Sequence, residues 1–261
     1  MIPSLLACAL LSAAALQGNE LPGGLRVYEK EELVYSLSWW ILGAGEAALT
    51  LDPTASYGPR PSLHLTYIVK SGGLAGKFFK VNDRIDSYLD PTTGCSMAIE
   101  KRLQEGKRVE DRLVEFDYAS GRAKTTKYET ASGSIRNPVD ITTTAISGCL
   151  NDILAALYAI RSHAPLVPGS SFEVPTFDRG EAYSMTVQVL KKESISIRLG
   201  RFDTFVVEPQ PRFGGAFQKK GKLRIWLQDA PARLPVLIKS EAAVGSVKAE
   251  LKRIVRTGPV M

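Results

Sequence analysis

From Leu33 onward the sequence keeps alternating apolar and polar residues with a period of two, and no other feature restricts its fold so strongly. Successive side chains of an extended strand point to opposite faces, so this period describes strands with one face buried and one face wet. Leu33, Tyr35, Leu37, Trp39 and Ile41 fall on one face, with Ser36, Ser38 and Trp40 on the other. Gly43 and Gly45 then permit a bend or bulge before the apolar run Ala47 to Leu51. Leu63, Leu65, Tyr67 and Val69 repeat the pattern, and so do Tyr183, Met185, Val187 and Val189, then Ile195, Ile197 and Leu199, then Thr204 to Val207. Between Arg84 and Tyr128 the runs are separated by Asp90-Pro91-Thr92-Thr93-Gly94, Glu105-Gly106-Lys107 and Ser120-Gly121-Arg122, which are turns by composition. Ser132 to Asp140 is polar and reads as a loop.

One segment changes period. Leu150, Ile153, Leu154, Leu157 and Tyr158 stand at i, i+3, i+4, i+7 and i+8, the stripe of an amphipathic helix. Asp152 suits the positive end of its dipole, Arg161 the negative end, and Pro165 stops it. Such a helix is unstable alone in water and must lie on a sheet. The expected fold is therefore mainly β: a single curved antiparallel sheet, or an open barrel, wrapped around one amphipathic helix. No solenoid repeat or composition break divides residues 19–261, which are read as one β-rich domain.

The first eighteen residues carry no charge and include an apolar run from Leu5 to Leu16, too short to span a bilayer. They read as a secretory signal peptide covering 1–18, with cleavage between Ala15 and Asn19 and a true start upstream of the one given. Leu5-Leu6-Ala7-Cys8 matches a lipobox by letters, but the apolar run continues past Cys8, so lipidation there is not expected. Export to a periplasmic or outer-membrane-associated location follows, with no membrane span after cleavage. Cys95 and Cys149 then remain, and in an oxidising compartment they either close a disulfide or stay as two buried thiols. The net charge of +6 favours anionic surfaces, but the basic residues are dispersed. Their densest group, Lys219-Lys220-Gly221-Lys222, reads as a turn, and nucleic acid is not expected as a partner.

Lys222 to Leu251 reads as a three-stranded meander. Leu223, Ile225 and Leu227 share one face; Arg224, Trp226 and Gln228 share the other. Pro231 and Pro235 restrict the first connection, and Gly245-Ser246 fits a two-residue hairpin that sets Ala242 opposite Ala249 and Glu241 opposite Glu250. Diagonal pairs of Glu241 and Glu250 with Lys239, Lys248 and Lys252 make a checkerboard of charge, which marks a solvated face. The run LRIWLQDAPARLPVLIKSEAAVGSVKAEL resembles the C-terminal signature of the bacterial family of unknown function numbered 3108. YSLSWWILGAGEAAL, NDILAALYAIR followed by PLVPGSSFEV, and LGRFDTFVVEP agree with it in order. The resemblance implies an exported, β-rich envelope protein and carries over no catalytic residue.

Chemistry is sparse. His64 in a strand and His163 at the helix end read as structural, and no nucleophile elbow accompanies them. Asp83 with Asp86, and Glu110 with Asp111, read as a solvated ladder among Arg and Lys. Neither a metal nor a cofactor is expected, and no enzyme activity is read from these residues. Aromatics are the remaining signal. Trp39 and Trp40 should point to opposite faces, and Trp40 with Trp226 would form an exposed aromatic patch; the alternative is an isolated surface Trp packed on Lys or Arg stems. Two functions are weighed: a non-enzymatic envelope module binding a lipid or other apolar ligand between helix and sheet, and a structural or assembly factor docking on another envelope protein with no internal ligand.

Overall fold

The computed structural model describes residues 19–20, 26–27, 30–73, 76, 80–129, 136–210, 212–213, 216–217, 222–242 and 245–257. The expected signal peptide with Cys8, and the turn expected at Lys219–Gly221, lie outside them. Two two-residue strands, β1 (Asn19–Glu20) and β2 (Arg26–Val27), pair with each other. The main sheet begins with β3 (Lys30–Trp39), β4 (Leu42–Tyr57), β5 (Arg60–Ser71), β6 (Asn82–Leu89), β7 (Ser96–Glu105), β8 (Arg108–Asp117), β9 (Arg122–Tyr128) and β10 (Pro138–Ala145). A ten-residue helix, α1 (Ile153–Ser162), follows. The chain then adds β11 (Ser171–Asp178), β12 (Glu181–Ile197) and β13 (Gly200–Gln210), a short pair β14 (Arg212–Phe213) and β15 (Ala216–Phe217), and finally β16 (Lys222–Gln228), β17 (Pro235–Ala242) and β18 (Gly245–Thr257).

Fourteen strands form one sheet in the order β10-β9-β8-β7-β6-β5-β4-β3-β18-β17-β16-β13-β12-β11. Every neighbouring pair in it is antiparallel. The first half of the chain builds outward from β3, and the second half builds inward from β11 until β18 meets β3. The sheet is curved and unclosed, and α1 lies inside the curve. Leu154, Ala155 and Tyr158 pack with Leu33, Leu49, Leu65 and Leu89, while Ala156 and Ile160 pack with Val174, Val187, Val189 and Leu227. The expected curved sheet around one helix is thus the observed fold.

The two edge strands, β10 and β11, were not expected as strands. β10 is a run of Thr with mostly exposed side chains and shows no alternation, whereas β11 buries Val174 and Thr176 at alternate positions around an exposed Pro175, a residue that argues against a strand. The Gly43–Gly45 bulge is present: the β3–β4 register shifts there, and a Cβ on Gly45 would lie 2.1 Å from the carbonyl oxygen of Lys70.

Three local expectations are corrected. First, Trp39 and Trp40 do not project from opposite faces of a strand. Trp39 pairs with Leu42, so Trp40 and Ile41 form a two-residue turn, and Trp40 takes a positive φ of 56°. Second, the β17–β18 hairpin turns two residues earlier than Gly245-Ser246, because Gly245 pairs with Ala242 and Ser246 with Glu241. The missing Cβ of Gly245 serves another purpose: it would lie 2.3 Å from Nε1 of Trp40 and 2.7 Å from Nε1 of Trp39. The even shift leaves each residue on its expected face but sets Lys239 opposite Lys248. Lys248 is balanced by Glu250 at 3.0 Å, and the ammonium of Lys239 lies 5.0 Å from the Trp226 ring centre.

Third, Trp226 lies on the outer face but is only 6% exposed. Following the ladder across from it gives Leu237, Glu250, Ser36, Glu46 and Lys70, the outward-facing row. It is covered because β12 carries a one-residue bulge between Val189 and Lys191. A bulge exchanges the faces of all later residues, so Val187 and Val189 point inward but Glu193, Ile195 and Ile197 point outward. Ile195, Ile197 and Phe202 pack against the cluster that holds Trp226 and Leu237, and the amide of Arg198 donates to Glu250 Oε1. The Trp226 indole N–H donates to Glu193 Oε1 at 2.8 Å. This part of the outer face is therefore not solvated, and no exposed Trp40–Trp226 patch exists.

Cys95 and Cys149 form a disulfide across a sequence separation of 54 residues, tying the start of β7 to the segment that leads into α1. On the chain-entropy model, closing a loop of that size stabilises the fold by roughly 4 kcal/mol. The expected result for Cys95→Ser with Cys149→Ser is a loss of about 2–5 kcal/mol in urea unfolding under non-reducing conditions, with reduced wild type matching the variant.

Candidate functional site

The site is built around how α1 is held. Asp152 is the N-cap: its Oδ1 accepts from the amides of Leu154 at 2.9 Å and Ala155 at 3.1 Å, satisfying two orphan donors of the first turn. Its other oxygen accepts from the hydroxyls of Ser87 on β6 and Ser96 on β7. The Asp152 amide donates to Ser96 Oγ in return, and Tyr118 bonds the carbonyl of Ser96 at 2.9 Å. Asp152 is fully buried, and burial pushes its carboxyl up despite these donors.

The other end is held by charge. Arg161, 6% exposed, meets Glu31, 3% exposed, with Nη1 and Oε1 2.8 Å apart. Arg256 on β18 reaches the second carboxylate oxygen of Glu31 at 2.9 Å. Arg161 Nη2 donates to the carbonyl of Ala232, and its guanidinium lies over the Tyr158 ring. Burial by itself would raise the Glu31 pKa, but Arg161 and Arg256 outweigh it and hold the carboxyl below its usual range. Arg161, expected to complement the helix dipole, thus also bolts α1 to β3 and to the β16–β17 connection.

Between the anchored helix and the strands lies a cavity of about 800 Å³. Ile153, Leu154 and Leu157 form its helical wall, and Leu49, Val69, Ile85 and Ile238 are among the sheet residues facing them. Among the described lining residues the polar side chains are Tyr35, Trp39, Tyr67, Ser71 and Ser240, and none carries a charge. Tyr35 donates to the carbonyl of Pro235 at 3.0 Å, and burial raises its phenol well above the ordinary range. Tyr67 is pushed up to about 12 by burial, with Asp83 adding to it. Both phenols are neutral at physiological pH. The chemistry this lining offers is dispersion contact with hydrocarbon.

The cavity is deep at the helix and open at one end of the sheet. Leu49, Leu154 and Tyr35 are buried, whereas the lining residues Trp39, Leu223 and Val247 are 39%, 37% and 43% exposed. All three stand at the same end, since Val247 pairs with Trp39 and Ser240, one strand from Leu223, pairs with Val247. A second hollow of about 630 Å³ beside the disulfide is bordered by Arg60, Asp90 and Asp117 as well as by apolar groups.

Of the residues singled out in the sequence, Trp40 stands at the open end and Trp226 is away from the cavity. His64 sits on the outer face of β5, with Nε2 2.8 Å from Asp86 and its ring stacked on Tyr88. His163 is the helix C-cap residue, stacked on Phe172 with its pKa lowered by burial and by Arg233. Asp86 departs from the solvated ladder expected of it: it is buried, and although burial opposes ionisation, His64, Arg84 and Thr66 hold its carboxyl far below the ordinary range. Glu110 follows the ladder with Arg108 and Arg112, while Asp111 is engaged by Arg136. Among the described residues no three His, Cys, Asp or Glu gather as a metal site requires, and no helix is long and apolar enough to cross a membrane. The cavity itself had one signal in the sequence, the helical stripe Ile153, Leu154 and Leu157.

The chain belongs to the family described as protein of unknown function DUF3108, whose model matches residues 34–252. No curated protein matches it. Its fold is similar to that of a β-barrel-like protein of the domain of unknown function DUF1849 from Brucella abortus. That likeness has a TM-score of 0.60 at 10% identity and covers 88% of this chain and 98% of that one. The Brucella abortus protein therefore supports the fold and leaves the chemistry of the cavity to be argued from its own residues.

The anchors have a measurable pH signature. Because the folded pKa of Glu31 lies below its unfolded value, its contribution is fully present above the unfolded pKa and is lost as pH falls through the folded one. Chemical denaturation from pH 7 downward is expected to lose stability below about pH 4.5, and Glu31→Gln to flatten that part of the profile. Arg161→Ala, which leaves the buried Glu31 carboxylate with Arg256 alone, is expected to cost about 3 kcal/mol at pH 7 in the same assay.

Proposed function

We propose that this member of the DUF3108 family is a non-enzymatic binding module of the bacterial envelope, holding the hydrocarbon part of a lipid-class ligand in the cavity between α1 and the sheet. The observation that carries the reading is the uncharged cavity of about 800 Å³, bounded by a helix that is bolted at both ends and therefore not free to collapse onto the strands. Its size falls in the range of ligand pockets, and its lining matches the apolar majority with a few polar groups that such pockets have.

The envelope location rests on two supports. The uncharged apolar stretch of residues 1–18 has the composition of a signal peptide, and the Cys95–Cys149 bond suits an oxidising compartment. The assembly-factor reading would use the outer surface and has no need of an internal cavity.

Fluorescence titration with N-phenyl-1-naphthylamine tests the proposal. Wild type is expected to bind the dye saturably and to release it to long-chain fatty acids. Ala249→Trp, which projects a large side chain into the cavity, is expected to weaken dye binding at least about tenfold while keeping a cooperative unfolding transition. Equal affinity in wild type and Ala249→Trp, or no saturable binding in either, would overturn it.

A further inference from the structure

The open end of the cavity carries a feature that ligand burial does not explain. The β3–β4 tip reads Trp39-Trp40-Ile41-Leu42, and these residues are 39%, 71%, 94% and 39% exposed. Four consecutive large apolar side chains at a hairpin tip are unfavourable in water and mark an interaction site. The backbone is unfavourable too. Trp40 holds φ at 56° in the first position of a two-residue hairpin, a place that suits Gly and is strained for a bulky residue. Folding stability alone would put a small residue there.

The tip is also braced. The Trp40 amide donates to the carbonyl of Ser246 at 3.0 Å, and both indole Nε1 atoms stand over the backbone of Gly245. Trp39 belongs to the tip and to the cavity lining at once, so tip and mouth are continuous.

Charge around the mouth identifies the surface it suits. Lys70, Lys80 and Lys222 are exposed, and each adjoins a lining residue: Ser71, Val81 and Leu223 respectively. None of the three has an ion-pair partner among the described residues, whereas Glu46 and Glu105 nearby are paired with Lys252 and Arg108. Tryptophan is the side chain that favours a membrane–water interface, and unpaired lysines beside it add attraction to anionic headgroups. An apolar partner protein would bury the Trp–Ile tip without requiring these free cations.

We propose that the Trp39–Leu42 tip docks the protein on an anionic lipid surface, turning the cavity mouth toward the bilayer. The inference rests on the lipid-class reading of the cavity, and it assigns that ligand a route: the chain passes between membrane and cavity beside Trp39 without crossing water.

Vesicle co-sedimentation of the full chain tests this with phosphatidylglycerol and phosphatidylcholine vesicles, beside dye titration in free solution. Wild type is expected to bind phosphatidylglycerol vesicles, to bind phosphatidylcholine vesicles less, and to lose binding in high salt. Trp40→Gly with Ile41→Ser removes exposed apolar surface and gives the positive-φ position its preferred residue, so folding is not at risk. That variant is expected to lose vesicle binding by about tenfold or more while its solution dye affinity stays within about twofold, because neither residue lines the cavity. Lys70→Glu with Lys222→Glu is expected to remove the preference for the anionic lipid. Unchanged sedimentation of the Trp40→Gly, Ile41→Ser variant, or absence of wild-type binding to either vesicle, overturns the docking proposal. So does a dimer in sedimentation velocity that this variant abolishes, since the tip would then serve a second copy. Vesicle binding without dye binding would instead overturn the cavity reading and leave the docking surface standing.

Discussion

The rest of the structure follows from a mismatch of size between one helix and the sheet that surrounds it. Fourteen strands spaced by about 4.8 Å make an arc on the order of 60 Å, whereas a ten-residue helix is about 15 Å long. The inner faces of β3 to β6 and of β16 to β18 are apolar and must be kept from water. The helix covers part of that concavity. The uncovered part is the cavity. Its position is set by where the helix is fixed, which is why the buried polar groups at the two helix ends matter more than their number suggests.

Those groups are costly to bury. An ion pair such as Glu31–Arg161 gains little net stability over apolar residues of the same volume, and Asp152 is desolvated completely. What they supply is direction. Asp152 accepts only where Ser87, Ser96 and the first-turn amides converge, and Arg161 requires Glu31, Ala232 and the Tyr158 ring together. A purely apolar helix would gain by sliding deeper and closing the cavity. The outer face shows the same economy of means: one inserted residue in β12 reverses the faces of the strand beyond it and lets its hairpin cover Trp226.

How much of this was legible in the sequence can be traced residue by residue. The alternation of β3 to β9 and the 3.6-residue stripe of α1 are direct consequences of burial on one side, so they appear in the letters. β10 and β11 hide for different reasons: Thr142, Thr143 and Thr144 bury little, while Pro175 interrupts an otherwise alternating run and is tolerated only where a donor is dispensable. The β17–β18 turn was misplaced because Gly245 has two uses, a turn or a close approach, and the indoles that approach it come from a strand two hundred residues earlier. Trp226 was placed on the correct side and judged exposed, since a bulge in a distant strand leaves no local mark. The disulfide stayed open between two readings because Cys95 and Cys149 lie 54 residues apart, and only the fold brings them together. Alternation also says that a face is dry without saying what keeps it dry, so the cavity could be anticipated only as a space beside Ile153, Leu154 and Leu157.

The central claim is that hydrocarbon fills the space the helix leaves. Native mass spectrometry of the protein purified from its host cells without delipidation tests it most directly. The account predicts a non-covalent adduct in the mass range of a single lipid, carried by wild type, absent from Ala249→Trp and identifiable on release. A bare polypeptide mass for wild type under conditions that preserve other lipid complexes, or an adduct undiminished in Ala249→Trp, would contradict it.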